Sequence, residues 1–268
     1  MLDFKQRDFS KSGKSNVLSS KAMIASSHPI ASSIGIEILK NGGNAVDAAI
    51  ATNAVLCIAE PHMTGVGGDC FAMLSVDGSS NIMAMNGSGK SANKAKGSNL
   101  RKKNLTLITS DMPDSVTIPG AVAGWDLLHK EYGYMPWKEL FKPAINCAKN
   151  GIKVHERVAF DWPKNKEKLS MDLDTSKIFL NNGEAFKFMD NFKNENLSKT
   201  LSTIADEGYD GFYRGWVAED MFNKLKSIEG CHTLEDFSNA KAEWVKPISS
   251  NYKNVTVHEC PPNGQGIV

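Results

Sequence analysis

"HPIASSIGIEILKNGGNAVDAAIATNAVLCIAEP", residues 28–61, reads as two helices joined by a glycine turn. Pro29 suits a first helical turn, because its φ is already helical and its missing N–H is one that a helix start leaves unbonded. Ile30, Ile34 and Ile38 then fall on one face as far as about Lys40. Gly42-Gly43 ends that helix. Asn44 opens the next, with Asp47 three residues on in a capping-box-like position. The second helix carries Ala45, Ala48, Ala49, Ala51 and Ala54, small side chains that let another backbone approach closely. Glu60-Pro61 stops it.

Outward from this pair, residues 1–16 are polar and read as a flexible arm, and Ala22–Ser26 predicts a short strand. On the other side, "GVGGDC" (65–70) leads into a hairpin of Phe71–Val76 and Asn81–Met85, with Asp77-Gly78-Ser79-Ser80 as the turn. Residues 86–116 read as a long polar loop with short helical pieces. Helical pattern returns over Gly120–Tyr132, Trp137–Asn150, about 197–207 and 215–227, while 161–196 lacks a clear period. From Trp244 the chain is strand-like again. The fold class predicted is α+β, with a helical excursion at about 120–240 inside one domain over 17–268.

With 31 basic and 30 acidic residues, no net field favours nucleic acid or a membrane surface as a partner. The start has no apolar run of signal-peptide length, which predicts a cytoplasmic protein, or a periplasmic one if a leader precedes it. Five scattered cysteines without a CxxC pair point to reduced thiols and no zinc site.

The residue chemistry alone leaves alternatives open. "GVGGDC" is not a dinucleotide loop, because Cys70 stands where the third glycine belongs and a strand follows. "AMNGSGKS" (84–91) nearly matches a phosphate loop through Gly89, Lys90 and Ser91, but Ala84 replaces its first glycine and a poor helix follows. A nucleotide-binding protein built on Gly89-Lys90-Ser91 is therefore one reading. His62, near Asp69 in sequence, reads as a hydrogen-bonded loop histidine, and Trp125 and Trp137 as core.

Taken together, several blocks resemble the gamma-glutamyltransferase family. They are residues 28–74, "VTIPGAVAGWDLLHKEYGYMPWKELFKPAINCAKNG" (116–151), "GFYRGWVAEDM" (211–221), "TLEDFSNAKAEWVKPISSNYKNVTVHE" (233–259) and "PPNGQGI" (261–267). The resemblance implies an N-terminal-nucleophile hydrolase, an αββα sandwich, present here as its amino-terminal, helix-rich part. It implies self-cleavage into two subunits, with the new terminal threonine of the small subunit as nucleophile. The terminal amine then serves as the hydroxyl's own base. The implied substrate is a gamma-glutamyl or related acyl amide, and no metal or organic cofactor is needed. No catalytic residue is expected within this span, and the missing small subunit is the expected partner.

The family also carries an arginine in a D-x-R-E-x-A-P segment after the second strand, which grips the substrate's α-carboxylate with a planar fork. Here the segment is "NGSGKSANKA" (86–95), with Ser88 at the arginine position, Gly89 at the glutamate position and Lys90 as the nearest cation. It looks more like the acylase-like branch, whose Gly-Arg-Ala-Pro version would match Lys90. The resemblance thus implies amide or acyl-transfer chemistry without fixing gamma-glutamyl specificity, and Asn86, Ser88, Gly89 and Lys90 are the expected substrate-binding residues. The ending "PPNGQGIV", which opens an apolar element at Ile267-Val268, predicts that the chain is part of a longer polypeptide. A non-catalytic pseudo-subunit is the further alternative.

Overall fold

A computed structural model of the chain describes residues 8, 15–102, 104–264 and 266. The arm at 1–16, apart from residues 8, 15 and 16, and the apolar pair Ile267-Val268 lie outside the described residues.

The opening pair forms as its sequence dictates: α1 is Pro29–Lys40 and α2 is Ala45–Ala59. The Asn44 side chain accepts from the Val46 and Asp47 N–H groups, and Asp47 accepts from Asn44 N at 2.9 Å, closing the box. Gly35 lets α1 sit against α2, since a Cβ there would strike Ile24 and the Thr52 hydroxyl. Ala48, Ala51 and Ala54 are buried at this contact and deeper in the core, while Ala45 and Ala49 stay exposed.

Next come β1 (Cys70–Ser75) and β2 (Ile82–Gly87), paired antiparallel from Cys70↔Gly87 to Ser75↔Ile82. The turn uses Asp77 and Gly78 at positive φ. After the short α3 (Gly97–Lys102), α4 (Ala121–Tyr132) and α5 (Trp137–Asn150) build the helical layer. Residues 151–194 hold β3 (Ile152–Lys153), α6 (Glu156–Asp161), α7 (Lys166–Ser170), α8 (Leu173–Phe179) and β4 (Asn191–Phe192). This stretch has no steady period because an aromatic cluster holds it: Trp162 packs on Phe186 and Phe192 at 5.0 Å each.

Then follow α9 (Glu195–Tyr213), broken at Gly208 with φ 63°, α10 (Trp216–Ser227) and α11 (Leu234–Ser238). β5 (Glu243–Val245) joins β2 to complete a three-stranded sheet of order β1-β2-β5. β6 (Ile248–Tyr252) and β7 (Val255–Glu259) form a separate two-stranded ribbon.

The core lies between one face of the sheet and helices α1, α2, α4, α5 and α9. Trp125 is fully buried there, and Trp137 packs on Phe141 at 4.6 Å. One expectation fails. Residues 22–26 are not a strand, because an extended segment becomes one only by pairing, and none of the described strands pairs with it.

Candidate functional site

The segment after β2 leaves the sheet beside the start of α4, and glycines make that approach possible. A Cβ on Gly89 would collide with the Ile118 carbonyl, and one on Gly120 with the Gly87 carbonyl. The two backbones therefore touch directly, and Ile118 N donates to Lys90 O at 2.9 Å. The "GVGGDC" turn sits under the same junction. Gly68 O accepts from both Gly120 N and Ala121 N, satisfying donors at the start of α4. Buried Tyr213 completes the turn: its hydroxyl donates to Pro119 O at 2.8 Å and accepts from Ala123 N at 3.1 Å. Burial raises that phenol's pKa well above its usual value.

The four residues singled out in sequence come together here. Asn86 Oδ1 accepts from Ser88 N at 2.9 Å, and Gly89 N donates to Asp69 Oδ1 at 3.0 Å. Asn263 bridges the pair. Its Oδ1 accepts from Asn86 Nδ2 at 3.0 Å and its Nδ2 donates to Ser88 Oγ at 2.7 Å. Downstream, Asn93 N donates to Asp236 Oδ1 at 3.0 Å. Burial would raise the Asp236 carboxyl, but the donors of Asn93 and Thr233 outweigh it and bring the pKa below the usual value. Ser88, Gly89, Lys90, Ile118, Asp236 and Lys241 line a recess of about 70 Å³. Lys90 itself is exposed, and among the described residues its ammonium has no carboxylate within ion-pair distance.

Asn263 is the residue that sequence reading misses. Its only signal is its place in the Pro-Pro-Asn-Gly turn, some 175 residues from its partners.

The phosphate-loop geometry is not built. Asn86 and Gly87 belong to β2, no helix follows Ser91 until Gly97, and the Gly89 N–H that would cradle a phosphate holds the Asp69 carboxylate. Likewise His62 lies 3.8 Å from Asp161, and the carboxylates acting on it are Asp161 and Glu60 rather than Asp69. Among the described residues, no three His, Cys, Asp or Glu side chains converge as metal ligands. No helix of the described residues is long and apolar enough to cross a membrane.

Known proteins resemble the chain in sequence and in overall fold. The gamma-glutamyltranspeptidase family model matches residues 31–268. The Helicobacter pylori gamma-glutamyltranspeptidase is 30% identical, with a TM-score of 0.88 over 94% of this chain and 73% of that one. A cephalosporin acylase from Bacillus halodurans is 32% identical, with a TM-score of 0.90 over 98% of this chain and 50% of that one. The glutathione hydrolase-like YwrD proenzyme of Bacillus subtilis is 34% identical over 94% of this chain. The chain spans about half the length of the curated relatives it matches, 48% in that case. The sheet and helical layer thus belong to an α+β fold shared with N-terminal-nucleophile hydrolases, and the chain belongs to the gamma-glutamyltranspeptidase family.

Proposed function

We propose that this chain is the substrate-positioning part of an amidohydrolase or acyltransferase acting on gamma-glutamyl or related acyl-amide bonds, whose nucleophile is the terminal threonine of a small subunit. In this reading Asn86, Ser88, Gly89 and Lys90 line the acyl pocket, and the Lys90 ammonium takes an anionic group of the substrate. The observation that carries it is the rigid Asn86–Lys90 segment. It is pinned at Asp69, Ile118 and Asn263, with an exposed cation at its end.

An exposed lysine pair is worth only about 0–1 kcal/mol in open water. Its contribution grows when the pocket is closed and water leaves. The sheet's outer face is suited to such closure, because Phe71 and Met73 are exposed along it. An ammonium is also less selective than a guanidinium fork, which favours a broader acyl range than a dedicated gamma-glutamyl site.

The test is Lys90→Ala in the assembled, processed enzyme, with a gamma-glutamyl anilide as substrate. We expect kcat/KM to fall by about tenfold or more, mostly through KM, as the loss of one charge-assisted contact predicts. Lys90→Arg should restore it. An unchanged kcat/KM in Lys90→Ala removes Lys90 from the pocket.

A further inference from the structure

The hydrogen bonds around Ser88 have a direction, which can be traced from a group whose role is fixed. A backbone N–H can only donate, so Asn86 must turn its Oδ1 toward Ser88 N, 2.9 Å away. Its Nδ2 is then the atom that faces Asn263 at 3.0 Å, and Asn263 must present Oδ1 to it. That leaves Asn263 Nδ2 for Ser88 Oγ, at 2.7 Å. Both amide orientations follow from one main-chain donor.

The consequence falls on the Ser88 hydroxyl. Its oxygen accepts from Asn263, and among the described residues no acceptor takes its proton. Ser88 lines the recess together with Lys90. A group seated there meets a hydroxyl donor and an ammonium, and both need an acceptor. A carboxylate satisfies the two at once, whereas an ammonium offers only protons to donors. The recess, about 70 Å³, holds a group of that size and is under half the ~150 Å³ in which a benzene ring fits.

We propose that Ser88 donates to a carboxylate oxygen of the acyl group, and that Asn263 is the positioning residue that keeps the hydroxyl turned to do so. This rests on the reading of the Asn86–Lys90 recess as the acyl pocket. Lys90 supplies charge there and Ser88 supplies direction. Asn263 acts through Ser88 alone.

The test is a double-mutant cycle in the assembled, processed enzyme with a gamma-glutamyl anilide. Ser88→Ala should lower kcat/KM by about tenfold, mostly through KM, as expected for one charge-assisted hydrogen bond. Asn263→Asp keeps the shape but replaces the donor by a carboxylate, which draws the Ser88 proton to itself. It should cost about tenfold or more, a larger loss than that of Asn263→Ala. In the Ser88→Ala background, Asn263→Asp should cost no more than about threefold, because no hydroxyl is left to turn. A general effect of charge or of folding would be the same in both backgrounds. Equal cost of Asn263→Asp in the two backgrounds overturns the proposal, and so does an unchanged kcat/KM in Ser88→Ala. If Lys90→Ala still lowers kcat/KM in those cases, the acyl-pocket reading stands without this inference. If Lys90→Ala changes nothing either, both fall.

Discussion

The α2 helix and the β6–β7 ribbon carry apolar side chains to opposite ends. Ten of the fifteen α2 residues are buried, and even its Asp47 is fully covered. The ribbon pairs only with itself among the described strands, and it leaves Tyr252, Val255 and Val257 in solvent. The helical layer buries its apolar side chains among its own elements. Among the described residues, the ribbon and the outer sheet face leave apolar groups exposed, Phe71 and Met73 on the sheet included.

The sharpest way to break the comparison is at Asp47. Its carboxylate accepts from Asn44 N at 2.9 Å and from Tyr134 N and Met135 N at 3.1 Å each, tying the α4–α5 connection to the start of α2. Asp47→Ala strands these donors in the interior, and urea titration should show a loss of about 3–5 kcal/mol. A loss under 1 kcal/mol would mean that water already serves them.

His28 makes the helical layer acid-sensitive. His28 is buried and caps α1, its Nδ1 accepting from Ile30 N at 3.2 Å. Burial first, and then neighbouring His155, lower its pKa from 6.5 to about 4. The unfolded chain therefore takes up this proton before the folded one does. The stability is whole above pH 6.5 and is lost as pH falls toward 4, by up to about 3 kcal/mol. His28→Asn keeps a capping side chain without the titration and should flatten the stability profile between pH 6.5 and 4. An unchanged slope would assign the acid sensitivity elsewhere.

The smallest effect is expected on the ribbon. Val257→Lys should move stability by no more than about 0.5 kcal/mol, because the side chain is already in water. The same change should weaken assembly with the small subunit proposed above, as read by size-exclusion chromatography. A large melting shift without any assembly defect would make the ribbon part of the core.

This contrast also explains what the sequence discloses. α1 and α2 are legible nearly to the residue because Pro29, Gly42-Gly43 and the Asn44–Asp47 box are local signals with local causes. The hairpin reads equally well from its turn. Residues 22–26 misled because strand character depends on a partner that the segment itself does not encode. The stretch 161–196 was opaque because Trp162, Phe179, Phe186 and Phe192 meet by tertiary packing rather than by period. In the site, Ser88 to Lys90 were legible through a motif. Their anchors at Asp69, Ile118 and Asn263 depend on contacts 20 to 175 residues away along the chain.

The pairing of Asn86 with Glu243 carries a consequence for synthesis. At ordinary translation speeds the roughly 160 residues between them take about 8 to 30 s to emerge, so one edge of β2 waits unpaired for that time. A bare strand edge is a template for association with other nascent chains. The helical middle of the molecule is made during this interval. In the folded chain α4, made during this interval, packs against β1 and β2 and covers one face of the hairpin.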